Sequence, residues 1–178
     1  MFERIGENHV KIIKLCLEKG DVSRIGAVAM GDDLGFNTGT LISPQLLRKY
    51  VFPWHKKIAD LAHSYELPMI LHSCGNLESV MDDLIDYVGI DAKHSFEDKI
   101  LPVTDAKKKY GKRVAILGGV DVNVLCTENE AVIRRYIADI LKLCVPNGGY
   151  ALGTGNSVAN YIPIKKYLAM LYEGRRWM

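Results

Sequence analysis

No run of apolar residues in the sequence approaches the roughly 20 needed to span a bilayer. No charge of one sign dominates either. The formal balance of +2 is too small to favour nucleic acid or an anionic membrane as a partner. Cysteines are few and scattered, at 16, 74, 126 and 144, which argues against a disulfide framework and for a reduced, cytoplasmic protein. The opening residues, MFERIGEN, are too polar for a secretory signal. Low-complexity tracts and sequence-level repeats are missing. What remains is an ordinary globular balance, 48% hydrophobic and 25% charged, over 178 residues, a length that fits a single domain, 1–178.

The apolar pattern alternates between two periods. Residues 7–19 carry Val10, Ile13 and Leu17, with Ile12 and Cys16, at helical spacing. Residues 24–30 (RIGAVAM) read as a strand, and Ser43-Pro44 as a helix start that Pro53 should later kink or split. Further strands are expected at 69–72, 90–92, 114–117 and 150–152, each followed by a helical pattern. Thr127 and Glu130 read as a capping-box pair opening the helix that contains Ile133, Ile137 and Cys144. Cys16 and Cys144 lie on apolar helix stripes and are expected in the core. The basic run 107–113 reads as the solvated face of a helix. The result is a helix followed by five strand–helix units. Short, mostly apolar strands argue for a parallel α/β sheet covered on both faces. Eight units close a barrel, so five make either an open sheet or the later part of a barrel.

Every strand ends in small or polar residues: Gly31-Asp32-Asp33, His72-Ser73-Cys74-Gly75-Asn76, Lys93-His94-Ser95, Gly118-Gly119-Val120-Asp121 and Gly153-Thr154-Gly155-Asn156. Parallel α/β folds gather their chemistry at strand C-termini, so the pattern predicts one shared site. The organising stretch is Met69–Asn76. His72 and Cys74 are two apart, so an extended backbone points both the same way. Asp32 and Asp33 are candidates for metal binding, substrate orientation or acid–base work, with only one of the two facing the site. Asp121 either faces the same mouth or bonds its own turn. Phe36, Asn76, His94, Thr154 and Asn156, at strand ends or in the loops after them, are the substrate-contact candidates. His9, His55 and His63 fall on helices and are given no role.

Leu41-Ile-Ser-Pro44 through Phe52-Pro53-Trp54, Ile70-Leu-His72-Ser-Cys74-Gly75-Asn76, Gly118-Gly119-Val-Asp121 and Gly148-Gly149-Tyr-Ala-Leu152 resemble, in order, the uroporphyrinogen decarboxylase superfamily. That superfamily also includes cobalamin-dependent methyltransferases. The resemblance implies a partial TIM (β/α)8 barrel, with five parallel βα units matching the C-terminal part. His72-Ser-Cys74 is similar to the methyltransferase branch, where this pair binds zinc. A further cysteine of that branch aligns with Asn156. True decarboxylases resemble Leu-Gly-His-Gly where this chain has Leu152-Gly153-Thr154-Gly155.

The implied cofactors are zinc on His72 and Cys74 and, as partner, cobalamin or a corrinoid protein. The third ligand is left open among Asp33, Asp32, His94, Asp121 and Cys126. The leading expectation is zinc-dependent methyl transfer between a corrinoid and a thiol or methylated small molecule, with Asp33, Asp32 and Asp121 as catalytic candidates. The alternatives are uroporphyrinogen decarboxylation, and a non-catalytic barrel fragment that self-associates or joins a chain carrying the missing strands.

Overall fold

The structure, a computed structural model, describes residues 1–177. It resolves into two compact units, 1–93 and 94 onward.

The first unit opens with α1 (Phe2–Lys19), which starts well before residue 7. Its buried residues are Gly6 and Leu17; Ile12 and Cys16 are exposed, so Cys16 is not core. The helix is seated through one narrow stripe, where Gly6 meets Trp54, and its second apolar stripe is left outside. The strand expected over 24–30 shortens to β1 (Val28–Gly31). Val22–Arg24 is instead a 3-10 turn, because the Asp21 carboxylate accepts the Ser23 N–H and bends the chain there.

After β1 come a small hairpin, β2 (Gly35–Phe36) with β3 (Gly39–Thr40), and then α2 (Pro44–Leu46). Ser43 caps α2, its hydroxyl accepting the Leu46 N–H. A wide π turn, Leu47–Val51, separates α2 from α3 (Phe52–His63). Pro53, which has no N–H to give, sits in the first turn of α3, where none is needed, so the helix is split as expected. β4 (Met69–His72) follows and pairs parallel with β1, from Val28↔Met69 to Gly31↔His72. The helix expected over 77–87 is a 3-10 turn (Glu78–Val80) and a π turn (Asp83–Val88), ended by Gly89 at φ +81°. The wider turns set Val80, Leu84, Ile85 and Val88 on one buried face.

β5 (Ala92–His94) leads into the second unit, where α4 (Val103–Tyr110), β6 (Ala115–Leu117), α5 (Val122–Thr127), α6 (Glu130–Cys144), β7 (Tyr150–Ala151) and α7 (Ile164–Arg175) follow. Thr127 closes α5 rather than capping α6. The cap of α6 is Asn129, whose side chain accepts the Val132 N–H, so the Thr127–Glu130 capping box is not formed. α6 buries Ile133, Ile137, Ile140, Leu141 and Cys144. Burying each aliphatic chain is worth about 1.5–3 kcal/mol, more than the ~1 kcal/mol of the cap. Cys144 is core as expected, and burial pushes its thiol up to about 11. β6 and β7 pair in parallel, Ile116↔Tyr150 and Leu117↔Ala151.

The sheet runs β1-β4-β5-β6-β7, a five-stranded α/β arrangement. Its coverage differs from the expected two closed faces. Ala29 and Gly31 in β1 and Ala151 in β7 are exposed, so among the described residues that side of these strands is not covered.

Candidate metal centre

β4 ends at His72, and the chain then turns sharply through Ser73, Cys74 and Gly75. Gly75 stands at φ +86°, and a Cβ there would lie 2.1 Å from the Gly35 carbonyl carbon. No other residue fits. This close approach seats the β2–β3 hairpin on the 74–77 loop, and the Asn76 N–H donates to the Phe36 carbonyl at 2.8 Å. The segment between β1 and the hairpin is thereby pinned beside the end of β4. Three bonds hold it: Asp32 N–H to the His72 carbonyl (3.0 Å), Leu34 N–H to Ser73 Oγ (3.1 Å) and Cys74 N–H to Asp33 Oδ1 (2.9 Å).

The consequence is a cluster of three donors. His72 Nε2 lies 3.5 Å from Cys74 Sγ and 3.8 Å from Asp33 Oδ1, and one ligand atom from each of the three residues fits within 4.8 Å of the others. His72 and Cys74 are half-buried and Asp33 is exposed. The Cys74 N–H holds the Asp33 carboxyl below the usual aspartate range; desolvation opposes this, and the Cys74 side chain, His72 and Lys93 add to it. Lys93 is 3% exposed and donates from Nζ to the carbonyl of Ser73, the residue between the two β4 ligands. Ser73 thus bonds Leu34 through its hydroxyl and Lys93 through its carbonyl, fixing both arms of the cluster. Spacing gave no hint of Lys93; the available signal was a lysine next to Ala92 in a short buried strand.

The donors suit zinc. Zinc bonds of about 2.0–2.3 Å at tetrahedral angles place nitrogen, sulfur and oxygen ligands roughly 3.3–3.6 Å apart. The 3.5 Å and 3.8 Å separations need little adjustment to meet that. One imidazole, one thiol and one carboxylate with a fourth position open is also the usual ligand count of a catalytic zinc.

The two aspartates part, as neighbouring extended residues do. Asp33 faces the cluster, while Asp32 Oδ2 meets His55 Nε2 on α3 at 2.9 Å. His55, expected on the outside with no role, is 4% exposed. A polar residue at a buried position of an apolar helix stripe was the signal for it. Phe36 is 62% exposed at the hairpin, and the Asn76 carboxamide accepts the Glu78 N–H at 3.0 Å.

In the second unit His94 Nε2 donates to the Thr154 carbonyl at 3.0 Å, and Thr154 Oγ1 donates to the Asn156 carbonyl at 2.6 Å. Asn156 Oδ1 accepts the Ser157 N–H, and Asp121 accepts the Asn123 and Val124 N–H groups as the cap of α5. Cys126 is half-buried, its carbonyl receiving Lys166 Nζ at 2.7 Å.

Residues 7–177 match the family model described as uroporphyrinogen decarboxylase (URO-D). A five-unit parallel βα chain with its polar groups at the strand ends is therefore part of a TIM barrel of this kind, and the chain belongs to the uroporphyrinogen decarboxylase family. Relatives include methylated-thiol–coenzyme M methyltransferase of Methanosarcina mazei, 29% identical over 134 residues, which are 74% of this chain and 33% of that protein. Uroporphyrinogen decarboxylase 2 (chloroplastic) of Oryza sativa is 27% identical over 124 residues, 67% of this chain and 30% of the relative. A solved methyltransferase from Methanosarcina mazei shares the fold at TM-score 0.72 and 21% identity, over 97% of this chain and 47% of that one. The chain thus spans about a third of the length of the curated relatives it matches, a share that fits the C-terminal part of the barrel.

Proposed function

We propose that Asp33, His72 and Cys74 hold zinc and that the chain serves zinc-dependent methyl transfer, between a corrinoid and a thiol or methylated small molecule. The observation that carries this reading is the convergence of imidazole, thiol and carboxylate donors within 4.8 Å at the end of β4. It has the support of a relative whose name describes methyl transfer from a methylated thiol to coenzyme M. Zinc at such a site keeps a substrate thiol as thiolate near neutral pH. The chain's own residues do the positioning. Asp33 is fixed by the Cys74 N–H, the peptide between His72 and Cys74 by Lys93, and the Asp33 loop by Ser73. Phe36 and Asn76, in the same unit, belong to this reading as substrate contacts.

A second reading, decarboxylation of a uroporphyrinogen, is favoured by the decarboxylases among the relatives. In either case the chain is read as a cytoplasmic protein that self-associates or joins a chain carrying further barrel units; among the described residues no helix is long and apolar enough to cross a membrane. Metal analysis of untagged protein is the test. About one zinc per chain, lost in Cys74→Ser, supports the zinc reading; no zinc, or zinc unchanged in that variant, overturns it. Turnover of uroporphyrinogen without zinc favours the second reading.

A further inference from the structure

A cavity of about 330 Å³ lies in the first unit on the side of the Asp32-Asp33 loop toward α1 and α3. That is the size of a small-molecule site. Its wall is mainly apolar and includes Phe2, Tyr50 and Trp54, and among the described residues neither lysine nor arginine lines it. Trp54 is set in place by Gly6, where a Cβ would collide with the indole ring at 2.1 Å.

The polar residues at this cavity are His9, Asp33 and an acid with its holder, Asp32 with His55. His55 Nε2 faces Asp32 Oδ2 at 2.9 Å and, since a carboxylate only accepts, carries the proton of that bond. Nδ1 of the same ring is buried with no hydrogen-bond partner. The ring therefore spends its one bond, through Nε2, on orienting the carboxylate. Only Oδ2 of Asp32 is used in this way. Oδ1 has no hydrogen bond to any described residue, and the side chain is 44% exposed. An oriented carboxylate with an open oxygen, beside an apolar, partly aromatic pocket, suits an ammonium group with a hydrocarbon body.

We propose that this cavity is a binding site for a small hydrophobic amine, its ammonium group donating to Asp32 Oδ1 and its hydrocarbon part lying against Tyr50 and Trp54. Asp33 also lines the cavity, but its Oδ1 is held by the Cys74 N–H, so the two sites adjoin and the carboxylate with an open oxygen is that of Asp32.

Benzylamine, with benzyl alcohol as the uncharged probe of the same shape, tests it on the full chain. Binding is followed by calorimetry and by the fluorescence of Trp54, with Trp54→Phe separating its signal from that of Trp177. Benzylamine should bind at least tenfold more tightly than benzyl alcohol. Asp32→Asn should remove that preference, and Cys74→Ser should leave it intact. Equal binding of the two probes by the unaltered protein, or no binding of benzylamine, overturns the proposal without any variant being needed. So does a preference that survives in Asp32→Asn, or one lost in Cys74→Ser with the fold intact by circular dichroism.

Discussion

The two units use the same kind of sequence in opposite ways. Both end their strands in polar residues. In the first unit the polar side chains converge: Asp33, His72 and Cys74 bring three different donor atoms within 4.8 Å. In the second they serve the backbone: Asp121 caps α5, Thr154 and Asn156 bond within their own loop, and His94 donates to a carbonyl. The difference lies in the supports. The first unit has a hairpin pressed on the strand-end loop through Gly35 and Gly75, a buried serine taking bonds from both sides, and a buried lysine behind it. A polar strand end marks where chemistry can be placed; only the neighbouring elements determine whether it becomes a cluster of donors or a set of turns.

The sharpest way to break this contrast is to remove a donor from each unit. Asp33→Asn keeps an oxygen to accept the Cys74 N–H but loses the anionic ligand, so zinc affinity should fall about 10–100-fold, read by competition with a chromogenic chelator. Asp121→Asn should leave zinc affinity unchanged; an equal loss in both would erase the distinction. Next in size is the support. Lys93→Met removes the bond to the Ser73 carbonyl, and a roughly tenfold drop in zinc affinity is expected, with an altered visible spectrum when cobalt replaces zinc. A Lys93→Met protein with normal cobalt spectrum and affinity would reduce Lys93 to packing.

A smaller effect separates cap from site in the second unit. Asp121→Ala should cost about 1 kcal/mol and lower Tm by roughly 2–4 °C through loss of the α5 cap. If thermal unfolding does not move, the two hydrogen bonds at Asp121 contribute nothing measurable. The smallest effect concerns pH. Burial raises the Asp98 carboxyl, the Tyr136 hydroxyl opposes this at 2.7 Å, and Asp121 adds to the rise. Its contribution to stability is therefore complete below the ordinary aspartate value of 3.8 and is lost as pH rises through the shifted value. Asp33 in metal-free protein has the opposite sign: its contribution is present above 3.8 and lost as pH falls below it. Urea unfolding of Asp98→Asn against the parent should show the parent losing ground as pH rises above about 4. Parallel curves would remove the assigned burial effect.

Much of the fold was legible. Strand and helix alternation follows from apolar periodicity, and the split at Pro53 and the stop at Gly89 follow from backbone chemistry that no context overrides. Two of the misreadings share a cause, local competition between side chain and backbone. Asn129 outcompetes Thr127 for the start of α6, and Asp21 draws residues 22–24 into a turn before β1. Cys16 was misplaced because a helix can carry two apolar stripes while a single contact face buries only one.

The sequence alone pointed to His72 and Cys74 as a pair, through the alternation of an extended chain, although Cys74 lies beyond the end of β4 and is held by the turn and the Asp33 bond. It also determined that only one of Asp32 and Asp33 could join them. Which one, and with what behind it, was decided by tertiary structure. Asp33 is selected because Gly75 lets the hairpin approach within van der Waals distance, and Asp32 is claimed by a histidine 23 residues further along the chain. Lys93 enters 20 residues beyond Ser73, at a distance in sequence over which no periodicity carries information.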